Sequence, residues 1–246
     1  MSAPSALSGR VVDDAAIIDT IRRLVECESP SADLAALHRS ADLIAAIGSE
    51  LLGTRPERID VDGVPHLRWR FGSTTRVLLL AHHDTVWPMG TIDRLPYDVR
   101  DGALTGPGCF DMKTGLAMAL HAVSSLDDRD GITLLVTGDE ELGSPRSRAL
   151  IEETAAGANA ALVLEAAGDG GALKVERKGI SLYEMVISAG PDAGTLSVMS
   201  GLTTLLGAVA TLMAIATGTT LGDIIVSPVG RRWSRAHWDK RRRRQG

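Results

Sequence analysis

The stretch RVLLLAHHDTV, residues 76–86, runs a block of aliphatic side chains directly into two histidines and an aspartate. A strand of this kind, apolar on both faces, belongs in the interior of a parallel sheet. Alternate residues of a strand share a face, so His82 and Asp84 can touch while His83 points away. A carboxylate beside an imidazole serves either a metal-bound histidine or a hydrolase triad. The stretch alone leaves both open.

Outward from this strand the chain alternates. Helices are expected over residues 13–27 and over 33–52, the second closed by Gly53, and β-like runs at 56–61, 66–71 and 76–81. Residues 87–110, rich in Gly, Pro and Asp, read mostly as loop. A helix from about 113 to 126 leads to a strand at 132–138, and a helix near 145–155 leads to a strand at 161–167. This order predicts an α/β fold: a mixed, largely parallel sheet flanked by helices, with right-handed crossovers. Beyond residue 177 the texture changes. GISLYEMVISAG alternates like a half-exposed strand, TLSVMSGLTTLLGAVATLMAIA reads as one helix, and GTTLGDIIVSPVG as another strand. The expected division is a first domain at 1–176, a smaller α+β domain at 177–229, and a basic, disordered tail at 230–246.

Composition narrows the function. Hydrophobic residues make up 44% of the 246, but aromatics only 3%, which disfavours a base-stacking nucleic-acid surface. The net charge of −5 divides into +7 on residues 230–246 and −12 on the rest. Two cysteines, Cys27 and Cys109, are too few for a disulfide framework or a cysteine zinc site. No apolar signal core opens the sequence, and the apolar segment 201–216 is too short and glycine-broken for a membrane span. The expectation is a cytoplasmic protein with no membrane partner.

In open α/β sheets ligands bind beyond the carboxyl ends of the strands. Three such ends carry His82 with Asp84, then Asp139-Glu140-Glu141, then Glu165, and Asp111 opens the helix after the long loop. One imidazole among several carboxylates suits a first-row divalent ion. A phosphate loop is excluded because Met112 precedes Lys113 where glycine is needed and Pro107 has no N–H. No G-x-S-x-G elbow supplies a serine nucleophile, which removes the triad reading. Glu140 and Glu141, read as neighbours on extended backbone, should diverge and serve different tasks. His83 reads as structural; His38, His66 and His121 read as surface residues.

HHDTVWPMGTI, GPGCFDMKTG, GDEELGSPRSR, LVLEAA and ERKG together resemble the zinc-dependent aminoacylase/carboxypeptidase family, which includes glutamate carboxypeptidase, aminoacylase and succinyl-diaminopimelate desuccinylase. The resemblance runs from about residue 14 to 190, and its wording is nearest the glutamate carboxypeptidase branch. It implies a zinc-exopeptidase-like fold with a lid and dimerisation domain, and hydrolysis of a peptide or N-acyl amide bond by a metal-activated water. His82 and Glu165 would bind one metal, Glu141 the other, with Asp111 bridging. Asp84 would orient His82, and Glu140 would be the general base. The resemblance also suggests a cis bond at Asp111–Met112. Complete relatives hold two zinc ions; one is expected here, with cobalt or manganese as substitutes. The expected partner is a small peptide or N-acyl amino acid, with a homo-oligomer in view because an apolar sheet edge would stand exposed.

The alternative is a truncated relative, weakly active or inactive. The family's last metal histidine has no convincing counterpart, since His237 in RAHWDK lies in unlike surroundings and ISAGPDAG lacks the histidine of the family's second domain. Such a chain would act at most as a binding or interaction protein.

Overall fold

The computed structural model describes residues 13–175, 183–187, 196–200 and 224–228. The chain divides into two compact units, Met1–Ala172 and Leu173–Gly246.

In the first unit, helix α1 (Asp14–Glu26) starts where the Asp13 carboxylate accepts the Ala15 N–H, and α2 (Leu34–Leu52) where Asp33 accepts that of Ala36. Each satisfies an otherwise orphaned N–H of a first turn. Gly53 closes α2 in the left-handed region, where a side chain would be strained. Strands β1 (Glu57–Val61) and β2 (Val64–Arg70) form a hairpin, followed by β3 (Val77–His82). The long loop contains one small hairpin, β4 (Asp98–Arg100) with β5 (Ala103–Thr105). Helix α3 (Thr114–Ser124), strand β6 (Ile132–Thr137), helix α4 (Arg148–Ala155) and strand β7 (Ala160–Val163) complete the unit.

The sheet order is β1-β2-β6-β3-β7. β3 runs parallel to both its neighbours, β6 and β7, while β1 and β2 are antiparallel additions. Period-two burial sorts the strands onto two helix layers. Leu67, Trp69, Ala81, Leu134 and Val136 face one way, into a core shared with Ile21, Ile44, Leu116 and Leu120 of α1, α2 and α3. Leu78 and Leu135 face the other way and meet Leu150 of α4. Gly48 lets α2 approach the sheet: a Cβ there would lie 2.4 Å from Cζ2 of Trp69. The mixed sheet with flanking helices is the one expected, and helix and strand limits agree within a few residues. Among the described residues no helix is long and apolar enough to cross a membrane.

The second unit contains an antiparallel sheet in the order β10-β8-β9, from β8 (Tyr183–Ile187), β9 (Leu196–Ser200) and β10 (Ile224–Pro228). Here one expectation fails. LSVMS, read as the start of a helix, pairs with β8 in register Ile187↔Leu196 through Tyr183↔Ser200. Short apolar runs do not distinguish helix from strand by periodicity, and pairing with a neighbour decides. The remainder of that expected helix, the ERKG segment and the basic tail lie outside the described residues.

Two histidines also differ from expectation. His66 is fully buried on β2, and His121 of α3 is buried where Thr20 Oγ1 of α1 meets its Nε2 at 2.9 Å. Their helix and strand positions face inward, against neighbours remote in sequence. His38 stays partly exposed at the end of the α2 first turns.

Candidate metal centre

The site lies beyond the carboxyl end of the parallel strands, where β3 ends at His82 and β6 leads into Asp139. Its sides are built by segments that bind each other. Pro30 pairs with Thr85, and the N–H groups of Ser31 and Thr85 bond to carbonyls of Thr85 and Ser29 at 3.1 and 2.9 Å. The chain past β3 is thereby extended by a partner that precedes α2.

His82 is buried, with its backbone N–H donating to Met112 Sδ at 3.2 Å. Its Nδ1 lies 3.0 Å from the Asp84 carbonyl and 3.4 Å from Asp84 Oδ1. A proton on Nδ1 suits both acceptors and leaves the Nε2 lone pair facing the site. Around Nε2 stand Asp111 Oδ1 at 3.0 Å, Glu165 Oε1 at 3.3 Å and Glu140 Oε2 at 3.9 Å. Burial disfavours a charged His82, but hydrogen bonds and charges from Asp84 and Glu165 outweigh it and raise its pKa to about 11. The second proton that this pKa describes would sit on Nε2, the position a divalent ion takes on a neutral imidazole.

Asp84 is fully buried. Burial opposes its ionisation, yet His82 and Ser31 hold its carboxyl below the ordinary value. Ser31 Oγ donates to Oδ2 at 2.8 Å. The same carboxylate accepts the backbone N–H of Glu140 on Oδ1 and of Glu141 on Oδ2, each at 3.1 Å. Sequence reading gave Asp84 one task; the structure gives it a second, holding the acidic turn. Ser31 was missed altogether, because a contact spanning 53 residues leaves no local signal.

Glu140 and Glu141 sit on a 3-10 turn, Glu140–Leu142, and not on extended backbone as expected. The turn forms because Asp84 takes both N–H groups from one side, which bends the chain after Asp139. The two side chains still occupy different surroundings. Burial raises both carboxyls, Glu141 to about 7, and the next largest influence on Glu141 is the Asp111 charge, on Glu140 the His82 ring.

Asp111 lies half-exposed ahead of α3, and the Asp111–Met112 peptide is cis, as the resemblance suggested. Among the described residues, one group of donors lies within 4.8 Å of one another: His82, Asp111 and Glu165. Glu141 is outside that group. One imidazole nitrogen with two carboxylates, on a buried and hydrogen-bonded histidine, fits a borderline divalent cation. His83 is structural: its Nε2 donates to the Pro65 carbonyl at 3.1 Å, its Nδ1 meets Ser40 Oγ, and burial pushes its pKa down to about 4. Both cysteines are free.

A parallel-sheet crevice lined by one imidazole and two carboxylates has the donor chemistry of a divalent-metal site. The chain belongs to Peptidase family M20/M25/M40, whose sequence model matches residues 78–231. It is 32% identical over 167 residues to carboxypeptidase G2 of Pseudomonas sp., covering 63% of this chain and 40% of that protein. It is 42% identical over 110 residues to succinyl-diaminopimelate desuccinylase of Aromatoleum aromaticum, covering 41% of this chain and 28% of that one. The chain thus spans less than half the length of these curated relatives. An M20 family metallo-carboxypeptidase from Sulfolobus solfataricus shares the fold, with a TM-score of 0.59 and 21% identity over 72% of this chain and 44% of that chain.

Proposed function

We propose that this chain carries the metal-binding half of an amidohydrolase of the glutamate carboxypeptidase type, cleaving a peptide or N-acyl amide bond of a small carboxylate-bearing substrate. The observation that carries the reading is the convergence of Asp111, Glu165 and Glu140 on His82 Nε2 within 3.0 to 3.9 Å. His82, Asp111 and Glu165 would hold one ion, zinc or in its place cobalt or manganese. Asp111 and Glu141 would contribute to a second. A divalent ion in such a site supplies Lewis acidity, polarising a carbonyl and acidifying water.

The chain's own residues then have separable tasks. Asp84 keeps the His82 proton on Nδ1 and so keeps Nε2 free. Glu140 accepts the proton of the attacking water and returns it to the leaving amine nitrogen. Burial raises the Glu140 carboxyl, which brings it closer to the working pH of a proton carrier.

The test compares the wild type with Glu140→Gln on N-acyl amino acids and short peptides, with metal stoichiometry measured alongside. Hydrolysis should fall by about 10²–10⁴-fold while the ion is retained. Equal turnover in both proteins would reject the role of Glu140. A second reading, metal binding without turnover, draws support from Glu141 standing outside the compact donor group. One ion per chain and no hydrolysis in the wild type would favour it.

A further inference from the structure

The turn that carries the two glutamates is held from behind as well as from the metal side. Its entry is fixed by His66, whose Nδ1 accepts the Gly138 N–H at 3.2 Å. A Cβ at Gly138 would lie 2.8 Å from the Pro65 carbonyl and 2.9 Å from His83 Nε2, so the backbone passes where no side chain fits. Its exit is fixed by Asp139. The Asp139 carbonyl accepts from Leu142 and Ser144 at 3.3 and 3.0 Å, and its Oδ2 accepts from Arg146 and Ser147 at 2.7 and 3.2 Å. With the two bonds to Asp84, five N–H groups between residues 138 and 147 are taken by the side chains of His66, Asp84 and Asp139.

Behind this turn stands an unusual set of atoms. His66 Nε2, Asp139 Oδ1 and Ser147 Oγ are buried side-chain atoms without a hydrogen-bond partner among the described residues, and all three residues are fully buried. Because His66 Nδ1 accepts a proton bond, Nε2 carries the ring proton and is a donor. Asp139 Oδ1 is an acceptor, and the Ser147 hydroxyl is either. Asp139 links the other two: it acts on the His66 ring more strongly than any other charge, and it binds the Ser147 N–H directly. Buried polar atoms with incomplete pairing disfavour the folded state, and apolar residues would pack there at lower cost. Such groups in a native fold call for a reason. Their residues hold the entry and the exit of the turn that carries the two glutamates, which supplies one.

We infer that His66 and Asp139, bound to the N–H groups of Gly138, Arg146 and Ser147, form a buried polar brace that fixes the Glu140–Glu141 turn relative to His82, so that Asp139 and His66 are positioning residues for the hydrolysis. The inference rests on the function proposed above. It assigns no contact with substrate or metal to the brace, which acts through the placement of Glu140 and Glu141. A positioning error of about 1 Å at a reacting group can cost on the order of 10²-fold in rate.

The experiment uses the full chain loaded with cobalt, in wild-type form and as Asp139→Asn, His66→Leu and His66→Asn. The asparagine at 66 keeps an acceptor for the Gly138 N–H. Expected for Asp139→Asn and His66→Leu is a kcat lower by on the order of 10²-fold with KM unchanged. The visible cobalt spectrum should stay unaltered, and His66→Asn should restore most of the rate. Wild-type kcat in Asp139→Asn and His66→Leu, or a change confined to the melting temperature, would overturn the brace. If the wild type binds cobalt and hydrolyses nothing, the proposed function fails by itself. The brace is then read from hydrogen exchange at the Glu140 and Glu141 amides of the loaded chain. Faster exchange in Asp139→Asn with wild-type rates in His66→Asn supports it, and unchanged exchange overturns it. Should Asp139→Asn not fold, His66→Leu and His66→Asn decide by the same readouts.

Discussion

Asp84 Oδ1 lies 3.4 Å from Nδ1 of His82 and accepts the backbone N–H of Glu140 at 3.1 Å. One buried oxygen therefore ties the orientation of the candidate metal ligand to the position of the candidate base. Neither can shift without disturbing the other.

Replacing Asp84 with Asn should expose this coupling. The amide loses the charge that favours the His82 proton on Nδ1, and one of its two sides presents a donor to an N–H group. Metal affinity should fall by about 10–100-fold, the range seen when the partner of a ligating histidine is removed. Calorimetric titration with zinc or cobalt checks it. An unchanged affinity would remove Asp84 from any role in orienting His82.

His83 makes the stability of the protein sensitive to acid. Its folded pKa of about 4 lies below the ordinary 6.5, so between these values the unfolded chain binds the extra proton. The His83 contribution is complete above pH 6.5 and is lost as pH falls towards 4, at a slope of up to about 1.4 kcal/mol per pH unit. Denaturant melts of the wild type and His83→Gln over pH 4–7 test this. The wild type should lose stability relative to the variant as pH falls, and parallel curves would contradict the neutral, buried state of His83.

Gly115 joins α3 to the segment before Glu165. A Cβ there would sit 1.9 Å from the Leu164 carbonyl oxygen, a backbone atom that cannot swing away. Gly115→Ala should destabilise the protein by about 1–3 kcal/mol, as overpacking does, and should weaken metal binding because Glu165 is displaced with its neighbour. Thermal melting and metal titration read the two effects separately. Loss of stability with full metal affinity would show that Glu165 does not depend on this contact.

Strand β7 forms the end of the five-stranded sheet, and Leu162 and Val163 are each about half exposed. Among the described residues no strand pairs with its outer edge. An exposed apolar edge is a template for pairing with another chain. Sedimentation should show mass rising with concentration, and Leu162→Lys should reduce it. A monomer at every concentration would speak against association through β7.

Much of this arrangement was legible in the residues. Asp33 and Gly53 mark the ends of α2, and the aliphatic run of 77–81 marks a strand inside a parallel sheet, because each signal is local: a cap, a left-handed turn, an unbroken apolar run. The same holds for the position of His82, Asp111, Glu140 and Glu165 at strand ends or helix starts. What stayed hidden depends on distant partners. Ser31 meets Asp84 across 53 residues, His66 turns inward to Gly138 across 72, and LSVMS becomes a strand only because β8 lies beside it.

By itself, then, the sequence determined the order of the longer helices and strands up to β7 and the set of metal-type donors, since patterning and residue chemistry act over a few neighbouring positions. The tertiary structure alone decided that one Asp84 carboxylate serves both His82 and the glutamate turn, that Glu140 and Glu141 ride on a 3-10 turn, and that a buried polar cluster stands behind them. Hydrogen bonds between groups far apart in the chain have directions and distances that only the folded backbone sets.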